Sequence, residues 1–561
     1  MTFLLVRVFL SSPARGVLVA LGLLVSTVQA GAQDLASCAE PTAGTVAFTP
    51  LGGAEDRVSR LRTLVQGDTG QTILLRATTR PVTRSLGCDG VWAILPHLRY
   101  AHNDALPWGA NDGPLRAGVG HNALLSGGFG ARTGRLSVVI APQIVREDNG
   151  YVFVIPWDQL RVDRRSIWAH PYLPRPESAD WPLRFGDEPR HAVLLGQSRV
   201  SVDLTPRVTI GASSENRWWG PSAGNALLLS SHGSGFPHLF VETPRGLATA
   251  VGTIDVQYLL GRLRESRYFD ANIRNDHRAL SAIAVVWRPS ARWAMLPSLG
   301  ISRGVIAAGG PRLDNVLDAF RDVGRPVSRP ADAVAHGRRD QITDLFARWA
   351  VPEYGVEAYA EWARYEFPAS LADFIRFPGH TQGYSLGFQV ARPVRAGGTV
   401  HWQAEVSYLE PSTSLRVRPT GLSYTSDVVP QGWTHDGQML GPAIGPGGST
   451  QSLAVDWHGR EWRVGGTLGR IRWLNGPLFT DVVPGGQGKL PDVSLSASLR
   501  AAGRLGRIAA EVEVTHGVRL AYLNQALLRD PARGLYEGVD YGFWSVGMTL
   551  TPLSEGFFFR R

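Results

Sequence analysis

The chain of 561 residues contains two cysteines, four methionines and, at Lys489, a single lysine. Charged residues make up only 19% of it. Long apolar runs are as scarce. Past the N-terminal segment, no stretch approaches the ~18–20 continuous apolar residues that a transmembrane helix needs. That excludes a helical membrane protein, and a mean hydropathy near zero agrees. At 44% hydrophobic the chain is also too apolar to stay disordered. The near-absence of lysine is as consistent with GC-rich coding as with function. What is plentiful is glycine, at 64 residues, and tryptophan, at 17. That mixture suits a sheet-rich protein with many turns and an aromatic surface, and the length admits several soluble domains or one large barrel.

The N-terminus carries an export pattern. Arg7 and Arg15 precede the apolar run GVLVALGLLVSTV, and VQAGAQ then places small residues for cleavage after Ala30 or Ala32. Residues 1–32 are therefore read as a signal peptide. In an oxidising compartment, Cys38 and Cys88 are expected to form a disulfide rather than a metal or catalytic site. The loop-entropy model credits such a bond with roughly 4 kcal/mol as an upper figure. The alternative is two buried thiols.

Residues 33–87 read as a separate N-terminal segment. In AEDRVSRLRTLVQ, Val58, Leu61, Leu64 and Val65 recur at helical spacing and predict a short amphipathic helix. From residue 88 to the end the period is two. YSLGFQV alternates Tyr384, Leu386, Phe388 and Val390 with Ser385, Gly387 and Gln389. HWQAEVSY and RIAAEVEV alternate in the same way, and each predicts a strand with one apolar face.

Alternation also fits a soluble sandwich, so the connections decide. Tight turns are predicted at 131–134, 205–207, 244–246, 288–292, 352–355, 393–398, 459–460 and 504–506. Between them lie long connections near 102–120, 146–192, 216–236, 262–280, 307–339, 367–381, 411–450, 474–491 and 517–538. Strict alternation of short and long implies about eighteen strands and a transmembrane antiparallel β-barrel, with the helical segment on the periplasmic side. Trp287, Trp293, Trp349, Trp362, Trp473, Tyr541 and Trp544 are then expected at the membrane interfaces. In RLDNVLDAFRDV, the residues Leu313, Val316, Leu317, Phe320 and Val323 predict a short helix packing over or into the barrel mouth.

Catalytic signals are weak. GVGHNA, at 118–123, lacks the strand and helix that a dinucleotide site requires. His232 and His238 match no common zinc spacing and read as solvated loop residues. Glu357 and Glu361 share a strand face that points into the lumen, where paired carboxylates would suit acid–base work on a glycan; polar lumen walls are the simpler reading. No cofactor, metal or nucleic-acid partner is expected.

Four segments, NDGPLRAGVGHNALLSGGF, ENRWWGPSAGNALLLS, DQITDLFARWAVPEYGVEAYAEWAR and HTQGYSLGFQ, resemble the capsule assembly Wzi family. The resemblance implies an eighteen-stranded outer-membrane barrel with a helical periplasmic plug. It also implies non-enzymatic attachment of capsular or extracellular polysaccharide to the cell surface. The candidate glycan contacts are Glu215, Asn216, Arg217, Trp218 and Trp219, an aromatic plate beside planar polar groups. Asn111 and Asp112 are candidates for a polar rim, although Asn-Asp-Gly is also a turn signature. Arg161, Arg164 and Arg165 could collect a polyanion. A competing reading makes the tryptophans an interfacial pair beside a tight turn, with Arg217 bonded to Glu215 inside the barrel. A porin-like channel and a glycan-processing enzyme remain as alternative functions.

Overall fold

The computed structural model describes residues 44–46, 50–67, 73–78, 90–154, 168, 170, 173, 178–327, 337–395, 397–417, 421–476, 490–530 and 535–552. The signal peptide, Cys38, Cys88, Arg161, Arg164 and Arg165 lie outside the described residues.

The dominant feature is a closed antiparallel barrel of eighteen strands. The first six are β1 (Gly90–Asn103), β2 (Gly120–Thr133), β3 (Leu136–Ile140 with Gln143–Glu147), β4 (Arg190–Leu194 with Arg199–Thr205), β5 (Val208–Ser213) and β6 (His238–Glu242 with Leu247–Thr249). The middle six are β7 (Gly252–Arg264), β8 (His277–Pro289), β9 (Ser298–Ala308), β10 (Arg339–Val351), β11 (Val356–Arg364) and β12 (Gln382–Pro393). The last six are β13 (Thr399–Tyr408), β14 (Ser449–His458), β15 (Trp462–Arg472), β16 (Val493–Leu505), β17 (Ile508–Leu520) and β18 (Tyr541–Pro552). Each strand pairs with its sequence neighbours, and β18 closes the ring on β1 from Ser545↔Asn103 to Leu550↔Leu98. Beyond the reach of β18, Gly44–Val46 pairs in parallel with Trp92–Ile94 of β1 and covers part of the remaining edge.

The nine long connections all emerge at one end and the eight short ones at the other, as the turn pattern predicts. One predicted turn is misplaced. At 243–246 the chain does not reverse; it makes a local turn, with Gly246 N–H donating to the carbonyl of Thr243, and then resumes β6. Pro244 has no N–H to give to the ladder, so the strand breaks there without ending. The reversal follows Thr249, which pairs with Gly252.

The burial pattern is the reverse of a soluble protein's. Leu386 and Phe388 are 50% and 47% exposed on the outer face, while their neighbours Ser385 and Gln389 are buried inside. Trp402 and Val406 face out where His401 and Glu405 face in. Ile508, Val512 and Val514 face out against Glu511. A polar interior and an apolar outer belt are what lipid demands of a closed sheet. Of the expected interfacial residues, Trp349 and Trp544 stand exposed on the outside, as does Trp293 in the short turn after β8. Trp473 and Tyr541 instead turn to the lumen side, where Trp473 lines a cavity and Tyr541 packs on Tyr522.

Candidate luminal site

Helix α1 (Ala54–Gln66) forms as its spacing predicts. It lies against the short-turn end of the barrel. Val58, Leu61 and Leu64 are buried with Ala391 of β12, and Arg60 reaches Glu357 of β11 at 3.2 Å. Arg57 meets Glu511 of β17 at 2.8 Å. An apolar stripe on a polar lumen wall would be a poor match on its own. Arg57 and Arg60, on other faces of α1, supply the match, because each of these two finds a carboxylate of the wall.

The connection between β5 and β6 (214–237) also enters the lumen. Its Arg217–Trp219 segment pairs antiparallel with Leu75–Ala77, the strand that follows α1. The sharp Trp-Gly-Pro turn is possible because Gly220 holds φ +104° and because a Cβ there would strike the carboxylate of Glu361. That carboxylate accepts N–H groups from Ser222 at 2.7 Å and Leu227 at 2.9 Å. Glu405 of β13 accepts from Ala223 at 2.7 Å and Gly224 at 3.0 Å, and it takes the hydroxyl of Tyr359 at 2.7 Å. Two wall glutamates thus cap the backbone of residues 220–229, a stretch outside any helix or strand. Glu357 is held between Arg60 and Arg348. Glu357 and Glu361 are therefore both committed to fixing inserted segments.

A third segment, 421–448, fills the long-loop end. Arg278 of β8 donates to the carbonyl of Gly432 at 2.7 Å, and Trp433 is buried with its indole N–H directed to Asp340 of β10.

The predicted contact residues divide in this arrangement. Trp218 and Trp219 are fully buried. The guanidinium of Arg76 lies 4.7 Å from the Trp218 ring, and Trp219 donates its indole N–H to Gln257 of β7 at 2.7 Å. Glu215 and Arg217 form an ion pair at 2.7 Å, extended by Arg199 and Glu242 into a four-membered buried network. The pairing of Arg217 with Glu215 agrees with the competing reading of this stretch. An interfacial position for the tryptophans does not, since the indoles sit in the lumen. Their faces are occupied by the chain itself. His232 is packed within the same segment and His238 is buried at the start of β6, so neither is a solvated loop histidine. Burial lowers the pKa of His232 to about 4 and keeps it neutral.

Asn111, Asp112 and Asn216 are brought together. All three line a cavity of about 440 Å³ between the inserted segments and one side of the wall, formed by β13–β18 and β1–β3. Asn111 donates to the carbonyl of Gly224 at 2.8 Å and Asp112 pairs with Arg99 at 3.1 Å. The amide oxygen of Asn216 accepts from Gln197 at 2.8 Å. Two further aromatic residues, Trp108 and Trp473, border the space. Trp108 was not singled out from sequence; its Asn-Asp-Ala-Leu-Pro-Trp context carries no signal beyond a loop. The cavity's charges are largely matched within the chain, as Arg500 grips Asp456 through two bonds of 2.7 Å. With most of its arginines and carboxylates paired to each other, the lining presents amides, hydroxyls and two indoles, which suits a neutral or weakly charged polar ligand better than a polyanion.

Near this wall, ligand atoms of His401, Asp456 and His458 fall within 4.8 Å of one another. Both oxygens of Asp456 are taken by Arg500, and Arg463 raises the local positive potential. Such a field opposes a cation, so the cluster is read as part of the wall network.

No family model matches the chain, and no curated protein matches it. Among solved structures, the fold is similar to that of Wzi, an Escherichia coli outer-membrane protein described as a carbohydrate-binding β-barrel involved in group 1 capsule assembly. The TM-score is 0.53 at 12% identity, covering 90% of this chain and 89% of that one. Weaker matches include OccK7 of Pseudomonas aeruginosa (TM-score 0.37, 9% identity, covering 82% of this chain and 98% of that one). OccAB2 of Acinetobacter baumannii matches at a TM-score of 0.38 and 8% identity, covering 82% and 97%. The chain thus has the architecture of a closed eighteen-stranded outer-membrane-type barrel with a filled lumen.

Proposed function

We propose that this chain is an outer-membrane protein that binds capsular or extracellular polysaccharide and holds it at the cell surface without catalysis. The observation that carries the reading is the lumen. Three segments of the chain itself are anchored across it, and they leave a cavity of mixed polar and apolar lining bordered by Asn111, Asp112, Asn216 and Trp108. A transport barrel needs its interior open, whereas a binding protein gains from a rigid, preorganised wall. The barrel of similar fold described as carbohydrate-binding lends support at the level of architecture. In this reading Trp218 and Trp219 act by shaping the inserted segment, and Trp108 offers the stacking face.

Binding of the detergent-solubilised protein to the producing cell's surface polysaccharide tests the proposal, with Trp108→Ala and Asn216→Ala variants alongside. Saturable binding that weakens in both variants supports it. The second reading, a porin-like channel, draws on the cavity of about 440 Å³ along β13–β18. Stepwise conductance in a planar bilayer together with no polysaccharide binding would put that reading first. The enzymatic alternative loses its first candidates, since Glu357 and Glu361 each bind fixed groups of the chain.

A further inference from the structure

Outside the barrel, near the long-loop rim, the sequence rule of apolar-out fails on a patch of the wall. Arg303 of β9 and Gln341 of β10 face away from the lumen, because Gly304 and Asp340 beside them face Trp433 inside. Ser281 of β8 and Tyr258 of β7 lie on the same outer surface. A bare arginine and glutamine there would be costly in lipid.

The connection between β9 and β10 covers them. Residues 309–327 do not pack over or into the mouth, as the helical spacing suggests; they fold down along the outer wall. The guanidinium of Arg303 donates to the carbonyls of Ala319 at 2.9 Å and Arg321 at 2.7 Å, and to Gln341 at 2.6 Å. Gln341 in turn donates to the carbonyl of Arg325 at 2.6 Å, and Tyr258 to that of Val316 at 2.8 Å. Tyr258 also stacks on Phe320, with ring centroids 5.9 Å apart. The polar wall residues thus satisfy the backbone of this strap. Leu313, Leu317 and Val323 project the other way, 58%, 49% and 63% exposed, and Phe320 keeps 52% of its surface exposed beside Tyr258.

We infer that residues 309–327 are a lipid-contacting strap that lies in the interfacial region of the bilayer, apolar side chains toward the acyl chains and arginines toward lipid phosphates. Two observations select lipid as the occupant. First, the exposed apolar residues continue the outer belt: Leu299, Ile301 and Leu345 stand exposed on the same faces of β9 and β10, toward the other end. Second, Arg312, Arg321 and Arg325 are exposed on the strap among these apolar side chains, the mixture expected of an element lying in a membrane surface. The next long connection repeats the device. Helix α2 (Leu371–Arg376) exposes Leu371 and Ile375, while outward Arg364 donates to the carbonyls of Pro378 and His380. The inference rests on the membrane-barrel part of the proposed function and not on the glycan.

The test uses the full chain in phosphatidylcholine–phosphatidylglycerol vesicles, with Leu317→Cys, Phe320→Cys or Val323→Cys carrying a polarity-sensitive dye. Wild type treated with the same dye gives the background from Cys38 and Cys88. Phe388→Cys on the outer belt is the membrane reference. The expected result is loss of strap fluorescence to a nitroxide near the lipid headgroup and little loss to iodide in the water. Quenching by iodide with none by the nitroxide would overturn the inference, and so would protection from both, which would mean a protein cover such as a second copy. If Phe388 is quenched by a deep nitroxide while all three strap sites are not, only the strap falls. If Phe388 also escapes, the membrane reading falls with it.

Discussion

Glu361 of β11 accepts the backbone N–H of Leu227 at 2.9 Å, although 134 positions separate them in sequence. Its other oxygen takes Ser222, so one wall carboxylate holds both ends of the bend in the inserted segment. Replacing it with glutamine keeps the volume and removes one acceptor, leaving an amide NH₂ facing an N–H. Glu361→Gln is expected to cost about 1–3 kcal/mol in anchoring this segment. Hydrogen exchange at 220–229 should accelerate while the strand amides stay protected. Unchanged exchange there would show that the segment is held elsewhere.

The two adjacent tryptophans should behave as packing residues. Trp219→Ala opens a cavity in the main core cluster and is expected to destabilise the fold by about 3–5 kcal/mol. Trp219→Phe keeps most of the apolar volume but leaves Gln257 without its donor, for a loss of about 1–3 kcal/mol. Urea titration of vesicle-inserted protein measures both. If polysaccharide binding vanishes in Trp219→Phe while stability is unchanged, the indole acts on the ligand directly.

The cavity rim should show the opposite signature. Asp112→Asn breaks the ion pair with partly exposed Arg99, so its effect on stability is expected to stay within about 1 kcal/mol. Trp108→Ala removes the only candidate stacking face on the first long connection. Both variants are expected to weaken polysaccharide binding at unchanged strand content. Isothermal titration with size-fractionated polysaccharide would check this, and wild-type affinity in both would remove the cavity from the binding site.

A pH effect follows from the end of β7. Glu265 accepts from Gln431 of the inserted 421–448 segment, and burial, ahead of the other causes, raises its pKa from 4.5 to about 8. The folded carboxyl therefore holds a proton that the unfolded one releases. Its contribution is full below pH 4.5 and is lost as the pH rises to about 8. His435 nearby accepts the N–H of Arg264, and burial lowers its pKa from 6.5 to about 4, so it changes stability only on the acid side. Between pH 6.5 and 8 the 421–448 segment should loosen progressively, and Glu265→Gln should flatten that change. Proteolysis rates of the segment across this window are the measurement; a flat wild-type profile would contradict it.

Much of the fold was legible from residues 90 to 552, and the reason is local. Alternation in segments such as YSLGFQV and the Gly/Pro content of turns each depend on a few neighbouring residues, so strand number and the short–long rhythm of connections could be read directly. The failure at 244–246 is of the same local kind, since a proline that breaks a ladder looks in sequence like one that ends a strand. Helix α1 was legible through Val58, Leu61 and Leu64, but not the arginine contacts that seat it.

The sequence by itself determined which face of each strand is greasy, written at a spacing of two, and about how many strands there are, written in the alternation of short turns and long connections. Only the tertiary structure decided where the loops go. Whether Trp218 and Trp219 stand at a mouth or in the lumen depends on Glu361 and Glu405, which are distant in sequence and accept N–H groups that no local partner satisfies. Whether Phe320 packs over the mouth or along the outer wall depends on Arg303 and Gln341 needing cover. Buried polar groups must find partners wherever the closed ring places them, and that requirement cannot be read until the ring is closed.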